Sequence, residues 1–256
     1  MSNWIAPDDL LVRLGISSPK EIVVEEIAQY CGATVLYEEL HGCAARIVGH
    51  GDRAIISVDT AANRGRQRFS AGHELGHWMR DRGKAAFACT DAMLATEWST
   101  DNPETRANRY AADLLLPERF FKPDARAQPV TFSTVETLAE RYQASWTATA
   151  LRLVALGSSP SMIVCSRRGQ RWKWFKRSPD LPRALWPRDQ PTTDTVAYDV
   201  LAGSGTVETA TAVSAAGWFD HGGAERYELV ESTVSIPGGC LSLLWWEDEA
   251  QLLELE

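Results

Sequence analysis

The chain has 256 residues, 45% of them hydrophobic, and a formal net charge of −8. That length buries one large core or two to three small ones. The acidic balance argues against wholesale nucleic-acid binding, and no apolar run reaches the roughly 18–20 residues of a membrane helix. Met1 to Leu11 holds Asp8 and Asp9 and no apolar stretch, so no signal peptide is expected and the expected compartment is the cytoplasm. Cys31, Cys43, Cys89, Cys165 and Cys240 lie far apart without C-x-x-C spacing and read as reduced thiols. Seven of the ten tryptophans follow residue 140, which points to a different domain there.

In chain order, Pro7 to Leu14 suits a short helix. Pro19 to Cys31 carries a helical stripe at Ile22, Val23, Ile27 and Tyr30, closed by Gly32. Ala33–Tyr37, Cys43–Val48 and Arg53–Val58 read as strands, the last two joined by a hairpin turn at Gly49-His50-Gly51-Asp52. A helix is expected over Arg66–Arg82. An irregular loop with a short helical piece follows from Lys84 to Asn102. Pro103–Leu116 is helical, with Asp101 or Asn102 as its cap. Lys122–Pro129 reads as a linker, and Ser133–Leu156 as two helices around a turn at Gln143-Ala144-Ser145. Beyond Met162 the pattern changes to strands: a hairpin through Arg171–Phe175, then Ala210–Phe219, Tyr227–Ser235 and Cys240–Trp246. Glu247–Glu256 reads as a solvated tail or last helix.

The helix over Arg66–Arg82 contains His73-Glu74-Leu75-Gly76-His77, an H-E-x-x-H motif. Residues four apart share a helix face, so both imidazoles can bind one metal ion while Glu74 stands within reach of a water on it. The chemistry implied is metal-assisted peptide hydrolysis, with Glu74 as general base and then as acid toward the leaving amine. A third ligand is needed, and Glu104 on the following helix is the candidate, with Glu97 and Asp101 also in range. Asn108, one turn beyond Glu104, can accept the outer N–H of His73 or His77. Tyr110, Arg109, Arg66 and His221 are the candidate oxyanion donors, and the sequence does not choose among them. Cys89 reads as a packed or loop cysteine rather than a thiolate ligand, and His41 and His50 as ordinary surface or core residues. Two histidines and a carboxylate suit Zn2+, and Mn2+ accepts the same donors.

Arg66-Gln67-Arg68-Phe69-Ser70-Ala71-Gly72-His73-Glu74-Leu75-Gly76-His77 resembles the R-x-R-F-[TS]-x-x-H-E-x-G-H signature of the ImmA/IrrE metallopeptidases. Glu104 to Pro117 resembles that family's E-x-x-A-N-x-F-A-A-x-L-L-M-P block, with Tyr110 for the usual Phe and Leu116 for the usual Met. With the strands before them, the two blocks cover roughly residues 20–120. The resemblance implies His73, His77 and Glu104 as metal ligands, Glu104 rather than Glu97 or Asp101, and Glu74 as the catalytic residue. It further implies a zinc endopeptidase that cleaves an XRE-type helix-turn-helix repressor in a stress, DNA-damage or mobile-element response. The strand Arg53–Val58 is expected to offer an edge to an extended substrate.

Leu138 to Ser145 resembles the turn of a helix-turn-helix, with Gln143 where Gly is usual and Ala144 where Val is usual. The following helix begins Trp-Thr-Ala-Thr-Ala-Leu-Arg, with one basic residue, so duplex DNA reading is not expected of it. Arg167, Arg168, Arg171, Lys173, Lys176 and Arg177 alternate with Trp172, Trp174 and Phe175. Such a mixture can bind single-stranded nucleic acid by stacking; a hairpin with an apolar face and a solvated basic face is the plainer reading. The expected fold class is α+β: a zincin-like domain (1–124) with a small antiparallel sheet, a helix-turn-helix-like module (125–158), and a mainly β C-terminal domain (159–256). The resemblance suggests a GAF-like sensory role for the last. The competing reading is a non-proteolytic regulator whose metal site is structural or sensing and which binds a repressor, an antitoxin-like partner or DNA.

Overall fold

The computed structural model describes residues 4–81, 86–89, 102–203 and 210–253. It is a mixed α+β chain with two sheets, and it divides into two compact units. The first comprises Met1–Phe121 and Ala139–Ala148, the second Lys122–Leu138 and Thr149–Glu256.

In the first unit α1 (Pro7–Arg13) and α2 (Val24–Tyr30) precede β1 (Ala33–Glu38), β2 (Ala45–His50) and β3 (Arg53–Asp59). Helix α3 (Arg64–Asp81), β4 (Ala86–Cys89) and α4 (Pro103–Leu115) follow. The continuous helix expected over Pro19–Cys31 is broken: a 3-10 turn spans Pro19–Glu21, and Val23 is extended before α2. The β-branched pair Ile22-Val23 disfavours a continuous helix, and Ser17 N–H donates to the Glu21 carboxylate at 2.7 Å, closing the first turn on itself.

The four-stranded sheet has the order β1-β3-β2-β4. It is mixed rather than antiparallel, because β1 runs parallel to β3 while β2 is antiparallel to both β3 and β4. The β2–β3 hairpin inserts β3 beside β1, so the strand expected to offer a free edge, Arg53–Val58, is interior. Among the described residues the edges are β1 and β4. Alternation sets the faces: Ala45, Ile47, Ala54, Ile56 and Val58 are buried, whereas Val48 and Ile55 are exposed on the other side.

Helices α5 (Glu118–Ala125), α6 (Phe132–Tyr142) and α7 (Trp146–Leu156) come next. The expected linker over Lys122–Pro129 is thus helical as far as Ala125, with Pro123 inside α5; buried Phe121, whose ring meets that of Tyr142 at 5.3 Å, anchors the helix just before it.

The second unit is built on a five-stranded antiparallel sheet of order β6-β5-β9-β8-β7. Its strands are β5 (Ser161–Arg167), β6 (Gln170–Arg177), β7 (Thr211–Ser214), β8 (Glu228–Ile236) and β9 (Gly239–Trp245). The expected strand Ala210–Phe219 is cut short at Ser214, where the Oγ accepts from Ala216 N–H and starts a 3-10 turn. Helix α8 (Val196–Ala202) has no counterpart in the sequence expectations. It packs into one core with Met162, Val164, Trp218, Phe219 and Leu244. Helix α9 (Ala250–Leu253) lies in the acidic end. The alternation expected of β6 is also interrupted. Its register against β5 shifts between Cys165 and Arg167. Trp172 therefore packs with Phe175 toward the core, while Trp174 registers with Cys165.

Candidate metal centre

Helix α3 begins where Asn63 Oδ1 accepts from Arg66 N–H at 3.0 Å, and α4 where Asn102 Oδ1 accepts from Thr105 N–H at 2.8 Å. Asn102 rather than Asp101 is therefore a cap of α4, with Pro103 in its tolerated first-turn position. Capping there fixes the start of α4 and with it Glu104, in the first turn.

The two helices pack through their smallest residues. A Cβ added at Gly76 would lie 3.0 Å from Tyr110 Cβ and 3.1 Å from Ala107 Cα. One added at Gly72 would lie 3.4 Å from Ala111 Cβ. Gly72 and Gly76 are one turn apart, as are Ala107 and Ala111, so two small ridges meet and the backbones come close. On the sheet side Trp78 Nε1 donates to Cys31 O at 2.9 Å, and its ring fills the space that any side chain at Gly49 would need. Leu75, Trp78 and Met79 are buried.

This packing brings His73, His77 and Glu104 together, with one ligand atom from each within 4.8 Å of the others. His73 Nε2 and His77 Nε2 are 3.0 Å apart. Glu104 Oε2 lies 3.2 Å from His73 Nε2, and Oε1 lies 3.4 Å from His77 Nε2. A tetrahedral ion with bonds of about 2.0–2.1 Å separates its ligand atoms by about 3.3 Å, so the donors fit such an ion in both number and spacing.

Asn108 Oδ1 is 2.9 Å from His73 Nδ1. A carbonyl oxygen only accepts, so His73 carries its proton on Nδ1 and its Nε2 lone pair faces Glu104 and His77. Of the two imidazoles that the sequence left open, His73 is the one Asn108 meets. His73, Glu74 and Asn108 are at most 1% exposed and His77 3%, whereas the Glu104 side chain keeps 17% exposure. The cluster is buried on its helix side and reaches solvent at the carboxylate.

The four oxyanion candidates differ in burial and in the element that carries them. Tyr110 is buried on α4, with Trp4 edge-on to its ring at 5.4 Å. Arg109 is exposed, Arg66 half-buried near the start of α3, and His221 belongs to the second unit. Cys89 falls in β4 in register with Ala45, while Glu97 and Asp101 lie outside the described residues.

One buried residue that sequence reasoning passed over is Arg68, only 2% exposed. Its guanidinium donates to Tyr142 O and Gln143 O, both at 2.9 Å, to Gln143 Oε1 at 3.2 Å, and to Ile22 O at 2.6 Å. Gln143 has φ 49, the left-handed conformation that explains why glycine is usual at that turn position. Arg68 thus closes the end of α6 onto α3, and burial pushes its guanidinium below the usual arginine range. The signal was present twice, in the R-x-R-F segment and in the odd Gln143, but nothing in the sequence joins them.

No curated protein matches the chain. Among solved structures, a Mycobacterium tuberculosis transcriptional regulator is similar in fold, with a TM-score of 0.61 at 16% identity, covering 99% of this chain and 79% of that one. The family model described as the IrrE N-terminal-like domain of the M78 peptidases matches residues 28–154, a span containing both ligand helices. Carrying that domain, with the histidine pair and Glu104 set as described, the chain belongs to the ImmA/IrrE family of metallopeptidases.

Proposed function

We propose that the chain is a zinc-dependent, site-specific endopeptidase with Glu74 as general base, in a zincin-like domain. The observation that carries this reading is the convergence of His73 Nε2, His77 Nε2 and the Glu104 carboxylate at 3.0–3.4 Å. These three residues would hold Zn2+, or Mn2+ with the same donors. The ion, when bound, acidifies a water and polarises the scissile carbonyl. Glu74 lies on α3 between the two histidines and is fully buried. It takes the water's proton and delivers it to the leaving amine. Asn108 keeps His73 in the coordinating tautomer. An extended substrate would add to β1 or β4, the edge strands among the described residues.

The proposed substrate is an XRE-type helix-turn-helix repressor, cleaved in a stress, DNA-damage or mobile-element response in the cytoplasm. The second unit would supply a GAF-like sensory function. The structural relative is itself a transcriptional regulator, which supports a regulatory role.

The test is Glu74→Gln, assayed for metal content and for cleavage of the repressor encoded beside the gene. The variant should retain one metal ion per chain and produce no cut product. Full cleavage by Glu74→Gln would falsify the assignment. Chelator-insensitive binding of the repressor by the wild type, without any cut product, would favour the non-proteolytic alternative instead.

A further inference from the structure

Between Arg167 and Arg188 eight Lys or Arg residues accompany one acid, Asp180, in a chain whose net charge is −8. This basic stretch runs from the end of β5 through β6 into the segment after it, and among the described residues β6 is an edge of the five-stranded sheet. Aromatic rings are stacked into the same place. Phe175 meets Trp172 at 4.8 Å and Trp186 at 5.1 Å, both edge-on. Trp186 is 57% exposed, a high value for the largest apolar side chain. The Arg177 guanidinium lies 5.3 Å from the Trp186 ring centre and 5.4 Å from that of Phe175. At the other end of the strand Arg171 lies 4.3 Å from the Trp172 ring centre and pairs with exposed Asp189 at 2.8 Å.

The bulge in β6 makes this surface. A regular strand would send Trp172 to the face opposite Phe175; the register shift brings both to one side, and Trp172 Nε1 is tied to Pro187 O at 3.2 Å. A rigid aromatic shelf results, with cations at both ends and one indole open to solvent. Burial, and after it the neighbouring positive charge of Arg183, lowers the Arg177 guanidinium below the usual arginine range. The Arg177 guanidinium also donates to Pro182 O at 3.0 Å, which holds it beside the open ring.

We propose that the β6 edge, centred on Trp186 with Arg177, Arg183 and Arg171, binds single-stranded nucleic acid, a base stacking on the indole and the adjoining phosphates meeting the guanidinium groups. A flat ring among cations suits a nucleotide strand because every base offers a π-face. Duplex DNA keeps its bases inside and offers nothing to Trp186. An acidic polypeptide would use the cations but not the shelf. The surface lies wholly in the second unit and is independent of the metal-centre reading.

The experiment is fluorescence anisotropy of the full chain with a labelled oligothymidylate of about 16 nucleotides, over a range of salt. Competing probes are the same length of duplex and polyglutamate. The wild type should bind the single strand in preference to both. Trp186→Ala should weaken binding about tenfold, the low end for a stacked base, with an unchanged melting profile. Arg177→Gln with Arg183→Gln should reduce the salt slope by about 1.4, two phosphate contacts at roughly 0.7 each. Trp146→Ala, an exposed tryptophan on α7 (39% exposed), should leave affinity unchanged. The proposal fails if no single-strand binding appears at low salt, if duplex or polyglutamate competes equally well, or if Trp186→Ala binds like the wild type.

Discussion

The two units bury polar chemistry in opposite ways. In the first, Arg68, Ser70, His73, Glu74 and His77 are all buried on one helix, α3. In the second, Glu231 on β8 is fully buried, and of its four partners only Thr233 shares its strand, the other three coming from separate segments. Its carboxylate accepts from Val196 N–H at 3.1 Å, Ala197 N–H at 2.7 Å, Trp218 Nε1 at 3.0 Å and Thr233 Oγ1 at 2.7 Å. A helix repeats its face every three to four residues, so a cluster on it leaves a spacing in the sequence. A strand residue whose partners come from elsewhere leaves none. That difference explains why His73, Glu74 and His77 can be read from five letters while Glu231 and α8, whose first turn it holds, cannot.

The first way to break the contrast is to force α3 and α4 apart. Gly76→Leu puts a branched side chain against Tyr110 Cβ and the Ala107 backbone, neither of which is a flexible side-chain end. The cost should reach about 3 kcal/mol, the upper end for overpacking. Because Glu104 is carried on α4, bound metal should be lost even in folded protein. Equilibrium unfolding and metal content after dialysis measure the two effects. Retention of metal by a folded Gly76→Leu chain would show that close helix packing does not assemble the cluster.

Arg68 sharpens the comparison within α3 itself. Arg68→Met leaves Tyr142 O, Gln143 O and Ile22 O without this donor, at roughly 1 kcal/mol per lost carbonyl bond. Relief of a buried charge offsets part of that, so a net loss of about 2 kcal/mol is expected. Metal content should remain that of the wild type, because Arg68 contacts the turn after α6 and not the ligands. A variant that unfolds normally but loses metal would mean that Arg68 also sets the histidines.

The legible part of the molecule follows the same division. Strand alternation in β2 and β3, the paired helices α6 and α7, the hairpin through β6 and Asn108 as a partner for one of the two histidines all follow from local periodicity. Spacing offered Glu104 as the third ligand but left Glu97 and Asp101 in range, and resemblance was needed to choose it. Contacts that join distant segments were not legible. Parallel pairing puts β3 inside the sheet instead of at its edge. The bulge turns Trp172 away from Trp174. Gly72 and Gly76 are motif letters in the sequence, and only the fold sets Ala107 and Ala111 opposite them.

The smallest predicted effect belongs to Glu231, and it turns on sign. Burial raises its carboxyl above the ordinary value of 4.5, against the lowering pull of its four hydrogen bonds, to Trp218, Thr233, Ala197 and Val196. The folded chain therefore holds this proton more tightly than the unfolded one. As pH rises through 4.5 the unfolded chain releases its proton first, so this group's contribution to stability falls with rising pH and levels off above the folded value. Glu231→Gln removes that dependence. In the variant the amide NH2 is best placed toward Thr233, whose hydroxyl can turn to accept, and Ala197 N–H then loses its acceptor. The loss should be about 1 kcal/mol at pH below the folded value, where the wild type is protonated, and should shrink as pH rises through it. Unfolding free energies of both chains across that range, taken as a difference, isolate the group. A difference that grows with pH would mean that the hydrogen bonds outweigh burial. Glu231 would then be held as an anion at the start of α8, and both units would be stabilising charge in their cores.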